Sequence, residues 1–336
     1  MLQVGVIGCG YWGPNLIRNF QLLNRSNVMR VADLDMRRLK HMKALYPTID
    51  TCTNYMDIIN DPDIDIVAVA TPVKTHHRFA LEALTAGKHV FVEKPLAASV
   101  AECEDLIEIA RQNQRKLMVG HTFLFTAAVR KMKEIIDSGE LGEIYYINSQ
   151  RLNLGLFQQD INVIWDLAPH DISIILHLLG QEPLSVSAIG SSHINPSIED
   201  VAVLTLKFSE SLLAFIQTSW LDPDKIRRMT VVGSKKMMVY DDVQPTEKIR
   251  IYDKSVEKPE HYDTFAEFQY SYKYGDIIIP KITGDEPLRT ELRHFVDCIE
   301  NDEQPLCDGN SGLRVVKILE ASQQSLAEGS SHISLR

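Results

Sequence analysis

Short apolar runs alternate with amphipathic stretches of helical period along the first third of the chain. The run at 64–70 is nearly all apolar, which is typical of a parallel strand that is buried on both faces. Strands that alternate with helices in this way predict a doubly wound parallel sheet of the α/β class. The runs are residues 4–7, 28–32, 64–70, 88–92 and 116–119.

The pattern changes after residue 121. A longer run of alternating polarity at 143–152 and a helical stretch at 166–179 lead into extended runs that no helix separates. Such runs predict a mostly antiparallel open sheet in a second α/β domain. They are residues 184–190, 201–208, 212–219, 229–232 and 237–240, and helical stretches at 290–301 and 311–328 close the chain. We therefore predict two domains, residues 1–121 and 122–336, because a single core stops growing at about 250–300 residues.

The segment Gly8–Gly13, which reads GCGYWG, joins the first predicted strand to a helix. In such a turn Gly8 makes the tight bend, Gly10 lets a pyrophosphate approach the backbone, and Gly13 allows the helix to pack against the strand. The helix N-terminus offers unpaired N–H groups to the phosphate charge. The second strand ends on Asp33, whose carboxylate can accept hydrogen bonds from a ribose diol. Strand, glycine turn, helix, strand and acid together predict a dinucleotide site.

Asp33 also bears on which dinucleotide binds. A carboxylate at the ribose hydroxyls repels a 2′-phosphate and therefore favours NAD over NADP. Arg37 and Arg38 follow closely and can pair with such a phosphate, or they can form the exposed face of the next helix. By the same rule we prefer the exposed face and predict NAD.

Composition excludes several classes of function. The formal net charge of −10 argues against general binding of nucleic acid or anionic membranes. The five cysteines are odd in number and lack CxxC spacing, which indicates reduced thiols and neither a disulfide framework nor a zinc site. The chain begins directly in a strand and has no apolar run of transmembrane length. We therefore expect a cytoplasmic protein without a metal site.

Lys94 follows a predicted strand at the carboxyl edge of the first sheet, where ligands of such sheets bind in the crevice under the second domain. Most lysines are exposed surface charges. Here Glu93 and Pro95 flank the lysine, and the proline fixes the local backbone and removes a donor. A ligand-facing turn is therefore expected at this position.

Asp166 and His170 are four residues apart, so a helix places both on one face. A carboxylate beside an imidazole can orient it and stabilise its protonated form, which makes an effective general base. A structural cap network and a metal pair, with His177 further along, remain open alternatives. Spacing alone does not decide between them.

Together these segments resemble the glucose–fructose oxidoreductase/inositol dehydrogenase (Gfo/Idh/MocA) family over essentially the whole chain. The matching segments are GCGYWG at 8–13, ATP at 70–72, Thr75-His76, GKHV at 87–90, EKP at 93–95, and Asp166 with His170. The resemblance implies a Rossmann domain followed by an open-sheet α/β domain that often builds oligomers, and oxidation or reduction of sugar and cyclitol carbons with NAD(P).

The resemblance further implies which residues form the site. Lys94, Asp166 and His170 are expected to be the catalytic set, and the Lys94–Pro95 peptide bond is expected to be cis, which is otherwise uncommon. The expected cofactor-binding residues lie at the glycine turn and at the strand ends. They are Gly8, Gly10, Tyr11, Trp12, Gly13, Asp33, Leu34, Thr71, Pro72, His76, Glu93 and Lys94.

Within the family, several segments are similar to those of nucleotide-sugar 3-dehydrogenases: GYWGPNLIRNF, VGHTFLF, Arg151-Leu152-Asn153, WDLAPHD and SWLDPDKIRRMTVVGSKK. A nucleotide diphosphate needs cations, and residues 225–228 supply them, although a solvated connection before a strand is also possible for this segment. Trp165 either covers the nicotinamide or sugar or packs in the domain. The expected substrate-binding residues are Arg151, Asn153, Trp165, Asp166, His170, Lys225 and Arg227.

The predicted function is NAD-dependent oxidation of the C3 hydroxyl of UDP-N-acetylglucosamine, or of its uronic acid, to a 3-keto sugar. His170 would take the hydroxyl proton, Lys94 would stabilise the oxygen, and Asp166 would orient His170. A dehydrogenase of a free sugar or inositol is the first alternative. A dinucleotide-sensing regulator without turnover is the second. We also expect a homo-oligomer, a dimer or tetramer formed through the second-domain sheet, with no nucleic-acid or membrane partner.

Overall fold

The apolar runs of the first third form the predicted parallel sheet. The computed structural model describes residues 1–257 and 271–335. Six strands pair in parallel in the order β3-β2-β1-β4-β5-β6. Their bounds are β1 (Leu2–Ile7), β2 (Ser26–Ala32), β3 (Asp50–Cys52), β4 (Ile66–Val69), β5 (His89–Glu93) and β6 (Leu117–Gly120). The central strand β4 is buried throughout, as a continuous apolar run requires, and the edge strand β6 is buried as well.

Helices connect these strands. Side chains cap several of them: Asp35 accepts from the N–H of Arg37 at 2.8 Å, and Ser99 accepts from the N–H of Glu102 at 3.2 Å. Such caps satisfy N–H groups that have no partner within the helix. The helices are α1 (Gly13–Leu22), α2 (Met36–Leu45), α3 (Met56–Ile59), α4 (His76–Thr85) and α5 (Val100–Gln112).

A nine-stranded sheet forms the second part of the chain. Its order is β14-β13-β12-β11-β7-β10-β9-β8-β15, and every pair is antiparallel except β7 with β10. This mostly antiparallel sheet confirms the predicted fold class. The strands are β7 (Ile144–Leu152), β8 (Ser185–Ser191), β9 (Val201–Lys207), β10 (Leu213–Ser219), β11 (Ile226–Gly233), β12 (Met237–Asp241), β13 (Ile249–Glu257), β14 (Ser271–Ile278) and β15 (Ile333–Ser334).

Alternation along the strands separates the two faces of this sheet. On β9 the side chains of Ala202, Leu204 and Leu206 are buried, whereas those between them are half-buried or exposed. Contacts of β7 and β10 with α7 cover the buried face. The remaining helices are α6 (Ala127–Asp137), α7 (Val163–Leu179), α8 (Pro287–Glu300) and α9 (Gly309–Ala327).

The chain divides into two compact units. The first contains Met1–Phe125 and Asp285–Glu320, and the second contains Thr126–Gly284 and Ala321–Arg336. The chain first passes from the first unit to the second after residue 125, close to the predicted boundary between residues 121 and 122. The prediction assigned one continuous segment to each domain, whereas residues 285–320 return to the first unit. In residues 1–257 and 271–335, no helix is both long and apolar enough to cross a membrane.

Candidate active site

The glycine turn after β1 has two positions at which a side chain would clash and one that is open. Gly8 has φ of +100°, and a Cβ there would lie 2.5 Å from the carbonyl oxygen of Ala70. A Cβ at Gly13 would collide with the carbonyl oxygen of Gly8. At Gly10 the nearest atom to an added Cβ is a guanidinium nitrogen of Arg38 at 3.8 Å, so the backbone there is open to a ligand.

Helix α1 begins directly after this turn. Its N-cap residue, Trp12, makes no side-chain cap, and proline occupies one of the first two helical positions. The first-turn N–H groups are therefore not capped by that side chain and can bind phosphate oxygens. Both observations fit the pyrophosphate of a dinucleotide.

Asp33 follows β2 and is engaged with the glycine turn. Its Oδ2 accepts from the N–H of Cys9 at 2.6 Å, and its Oδ1 accepts from the N–H of Asp35 at 2.7 Å. Nη1 of Arg38 lies 3.5 Å from Oδ2, whereas Arg37 is an exposed partner of Asp35. A carboxylate has further lone pairs, so Asp33 can still accept from ribose hydroxyls.

Exposed apolar side chains lie at the ends of β1 and β2. The exposed fractions are 83% for Tyr11, 38% for Trp12 and 92% for Leu34. The rings of Tyr11 and Trp12 meet edge to face with centroids 5.8 Å apart. These side chains follow the carboxyl ends of parallel strands, where the sheet binds its ligand, and each was predicted to bind the cofactor.

The side chain of His76 contacts the backbone of the Lys94 turn. The Lys94–Pro95 peptide bond is cis, which confirms the expectation from the EKP resemblance. Nδ1 of His76 lies 2.9 Å from the carbonyl oxygen of Pro95, and Nε2 lies 2.7 Å from that of Thr71. His76 is 2% exposed, and burial lowers its pKa. The structure thus places His76 as a link between the segments around Thr71 and Lys94, two of the predicted cofactor contacts.

In the second unit, α7 carries both predicted acid–base residues. Asn162 caps the helix by accepting from the N–H of Trp165 at 3.2 Å, so Asp166 lies in the first turn, where a negative charge is favourable. Oδ2 of Asp166 accepts from Nε1 of Trp220 at 3.0 Å. One helical turn later, His170 is half-buried on the same face.

Several predicted substrate residues lie where the neighbouring strands β7, β10 and β11 of the second sheet end or begin. We call this row of strand ends one edge of the second sheet. Because β7 and β10 are parallel and in register, they end together, followed by Asn153 and Trp220. The N–H of Asn153 donates to the carbonyl of Ser219 at 3.2 Å. Strand β11 runs the other way and begins opposite the end of β7, so the exposed Lys225 lies at this same edge. Asp166 is connected to this same edge by its hydrogen bond with Trp220.

Two arginines face each other across β7 and β11, and each is paired with an acid. Arg151 is 5% exposed and contacts Asp171 through Nε at 2.6 Å. Arg227, directly opposite Arg151, lies 3.4 Å from Asp242. The structure therefore places the two predicted cations opposite each other, and each of them already forms an ion pair with a carboxylate.

Sequence reasoning did not identify Trp220, Asp171 or Asp242. Trp220 lies in the SWLDP segment that carried the resemblance, and Asp171 directly follows His170 in WDLAPHD. A buried arginine requires a carboxylate partner, which was the available signal for an acid near Arg151. The identity of that acid depends on strand and helix packing that spacing alone does not reveal.

Comparison with known proteins agrees with this arrangement. Residues 2–121 match the family described as "Oxidoreductase family, NAD-binding Rossmann fold", and residues 129–239 match the GFO/IDH/MocA C-terminal domain. The chain is 25% identical to myo-inositol 2-dehydrogenase of Thermotoga maritima, and the match covers 97% of each protein. It is also 25% identical to UDP-N-acetylglucosamine 3-dehydrogenase of Acidithiobacillus ferrooxidans, with 94% of each covered.

A solved structure supports the fold. The crystal structure of a probable dehydrogenase from Thermotoga maritima matches with a TM-score of 0.82 and 23% identity, and the match covers 99% of both chains. With the glycine turn, the Lys94–Pro95 turn and the Asp166–His170 helix in place, both family domains are accounted for. The chain therefore belongs to the GFO/IDH/MocA family of oxidoreductases and carries its NAD-binding Rossmann domain.

Proposed function

We propose that this protein is an NAD-dependent dehydrogenase that oxidises the C3 hydroxyl of a nucleotide sugar, UDP-N-acetylglucosamine or its uronic acid, to a 3-keto sugar. The supporting observation is the clustering at one edge of the second sheet. There the acid–base helix meets, through the Trp220–Asp166 hydrogen bond, the strand ends that carry Asn153, Lys225 and the two arginines.

The glycine turn, Asp33 and the exposed apolar side chains fit NAD, which when bound supplies the hydride acceptor. The residues of the chain supply the proton chemistry. His170 accepts the proton of the C3 hydroxyl, and Asp166 orients the imidazole. The Lys94 ammonium hydrogen-bonds the same oxygen and stabilises its developing negative charge.

Charge supports a nucleotide diphosphate as the substrate handle. The protein has a formal net charge of −10, so an anionic substrate needs a local cation cluster. Lys225 and Arg227 form such a cluster at the start of β11, and the relative from Acidithiobacillus ferrooxidans is named for a nucleotide-sugar substrate.

A neutral polyol is the second candidate substrate. Asp171 and Asp242 already balance Arg151 and Arg227, so these arginines do not by themselves leave an uncompensated positive charge. The relative from Thermotoga maritima is named for myo-inositol. This observation keeps an inositol or free-sugar dehydrogenase as the direct competitor.

A substrate screen separates the two candidates. NADH absorbance should be followed with UDP- and dTDP-sugars, free sugars and inositols at matched concentrations. We expect the highest kcat/KM with UDP-N-acetylglucosamine or its uronic acid, and a loss of about 10²–10⁴-fold in kcat with Lys94→Ala. A higher kcat/KM with an inositol or free sugar would replace the proposal by the second candidate. No turnover with any compound, in a protein that binds NAD, would favour a regulator.

A further inference from the structure

Two buried carboxyl groups of the first unit belong to the surroundings of Lys94. Glu93 ends β5 and is 7% exposed, and Glu291 in α8 is fully buried at 0%. The Oε1 atom of each acid lacks a hydrogen-bond partner among the described residues. Burial of an ionised carboxylate is unfavourable unless it is paired, so at least one of these acids is expected to stay protonated.

The end of β6 connects the two acids. Glu93 pairs in register with Gly120, and its Oε2 lies 3.2 Å from the position that a Cβ of Gly120 would take. The glycine therefore leaves space for the Glu93 carboxyl group. Two residues later, the hydroxyl of Thr122 donates to Oε2 of Glu291 at 2.6 Å. Glu93, Gly120, Thr122 and Glu291 are thus successive neighbours around one strand end.

Helix α8 holds Glu291 in this position. The ring of Phe295 packs on that of Phe91 in β5 with centroids 6.0 Å apart. At the start of the helix, Glu286 accepts from Nη1 of Arg18 in α1 at 2.9 Å. Both contacts lie within the first unit, so the acid is fixed relative to the strand that ends at Glu93.

The charges around the two acids differ. Burial raises the pKa of Glu93 to about 7, although the charge and the backbone N–H of Lys94 both act to lower it. Burial raises the pKa of Glu291 well above its ordinary value, the Thr122 hydrogen bond opposes this, and the charge of Glu93 adds to it. Two nearby buried carboxyls titrate as a coupled pair, and here Lys94 favours ionisation of Glu93 first.

Two further titratable groups close to the pair in the described part of the chain are neutral near pH 7. Burial, together with the charge of Lys94, lowers the pKa of His121 to about 4. Burial, with the charge of Glu291, raises the pKa of the Cys307 thiol well above its ordinary value. Of these neighbours, Lys94 is the one whose positive charge acts on Glu93.

We propose that Glu93 and Glu291 form one buried acid pair that positions Lys94, in which Glu291 keeps a proton and Glu93 carries the single negative charge that holds the Lys94 amine as an ammonium. The inference rests on the proposed function, in which this ammonium stabilises the substrate oxygen. Both acids act through Lys94 and are positioning residues, and Glu291 is a residue that the sequence did not point to. The prediction that Glu93 also touches the cofactor is independent of this role.

The kinetic test compares three Glu→Gln variants across pH. Glu93→Gln removes the negative charge and should move the alkaline limb of kcat by about one pH unit or more toward lower pH, because a nearby opposite charge shifts a titration by about 1–3 units. Glu291→Gln replaces a neutral acid by a neutral amide and should leave the limb in place. Glu286→Gln, at the N-cap of the same helix and paired with Arg18, is the matched control and should also leave the limb in place.

Two measurements need no substrate. In the NAD-bound protein, the titration midpoint of the Lys94 amine, followed by NMR after ¹³C-methylation of lysines, should fall in Glu93→Gln and stay unchanged in Glu286→Gln. Infrared spectroscopy of the parent at pH 7.5 should show the carbonyl band of a protonated buried carboxyl group, and Glu291→Gln should lack it. These results distinguish a failure of the acid pair from a wrong substrate.

Three outcomes would overturn the proposal. An unshifted Lys94 midpoint in Glu93→Gln would show that Glu93 does not hold the ammonium. A shift in Glu291→Gln equal to that in Glu93→Gln would show that Glu291 is ionised. If a variant fails to fold, the infrared titration of the parent decides: one buried carboxyl should titrate near neutrality while a second stays protonated, and the absence of either signal contradicts the pair.

Discussion

The Asp33 carboxylate holds the glycine turn, and we propose that it also binds the ribose of the dinucleotide. The bonds from Cys9 and Asp35 fix its orientation, and its charge disfavours a 2′-phosphate. Arg38, 3.5 Å away, acts in the opposite direction because a guanidinium can pair with that phosphate. We therefore propose that the choice between NAD and NADP depends on a balance between these two neighbouring side chains.

Substitutions at these two residues should change cofactor choice in opposite directions. We expect NAD to bind more tightly than NADP. Asp33→Asn keeps an acceptor for the turn but loses the charge, so it should narrow the gap between the two Kd values by about tenfold, which corresponds to about 1.4 kcal/mol. Arg38→Ala should widen it, whereas Arg37→Ala, at an exposed neighbour, serves as control. Titration of both dinucleotides by fluorescence measures the gap. Tighter NADP binding by the parent would contradict the assignment.

The catalytic side chains give a second prediction at this scale. Lys94→Ala and His170→Ala should each reduce kcat by about 10²–10⁴-fold, because each removes one partner of the reacting oxygen. The double variant should be little worse than the worse single one, since groups that act as a unit are not additive. Lys74→Ala and His41→Ala, two exposed positions, are the controls. NAD affinity and thermal melting confirm folding, and a fully active His170→Ala protein would refute the role of His170 as base.

At the level of elements, local signals in the sequence predicted most strands and helices but missed β13, β14 and β15, and they did not reveal long-range partners. The apolar runs and the GCGYWG turn report their own environment, so β1, α1 and β5 follow from pattern alone. Arg151 illustrates the limit: its position was predicted, but its partner Asp171 comes from α7 packing onto β7. Glu291 shows the same limit, because a helix far along the chain returns to the end of β6.

Strand β11 allows a test of the substrate cations with a control on the same element. Lys225→Ala and Arg227→Ala should raise KM for a nucleotide sugar by about tenfold, as loss of a charge-assisted contact of about 1.5 kcal/mol would. NAD affinity should not change. Arg228 follows on the opposite face of the strand, so Arg228→Ala should behave like the parent. Steady-state kinetics measure the effect, and unchanged KM in both variants would make these residues solvated surface charges.

The whole molecule presents a sheet face that a second copy can cover. Ile189 and Val203 are directly opposite on β8 and β9 and are 62% and 37% exposed. Farther along the same face, the rings of Tyr146 and Phe215 are in contact with centroids 6.4 Å apart. Exposed apolar side chains on a sheet are typical of association surfaces. The homo-oligomer was predicted from the family resemblance, and we propose this face as its interface.

Light scattering coupled to gel filtration tests that prediction. We propose a dimer or tetramer through this face, so the parent should elute with a mass that is a multiple of 38.1 kDa. Ile189→Lys combined with Val203→Lys places two charges on this face and should shift the mass to that of one chain, because unpaired charges at a buried interface are unfavourable. Leu45→Lys, at an exposed leucine at the end of α2, adds the same type of charge elsewhere and should leave the assembly intact. A monomeric parent, or an oligomer that survives the double substitution, would exclude this face as the interface.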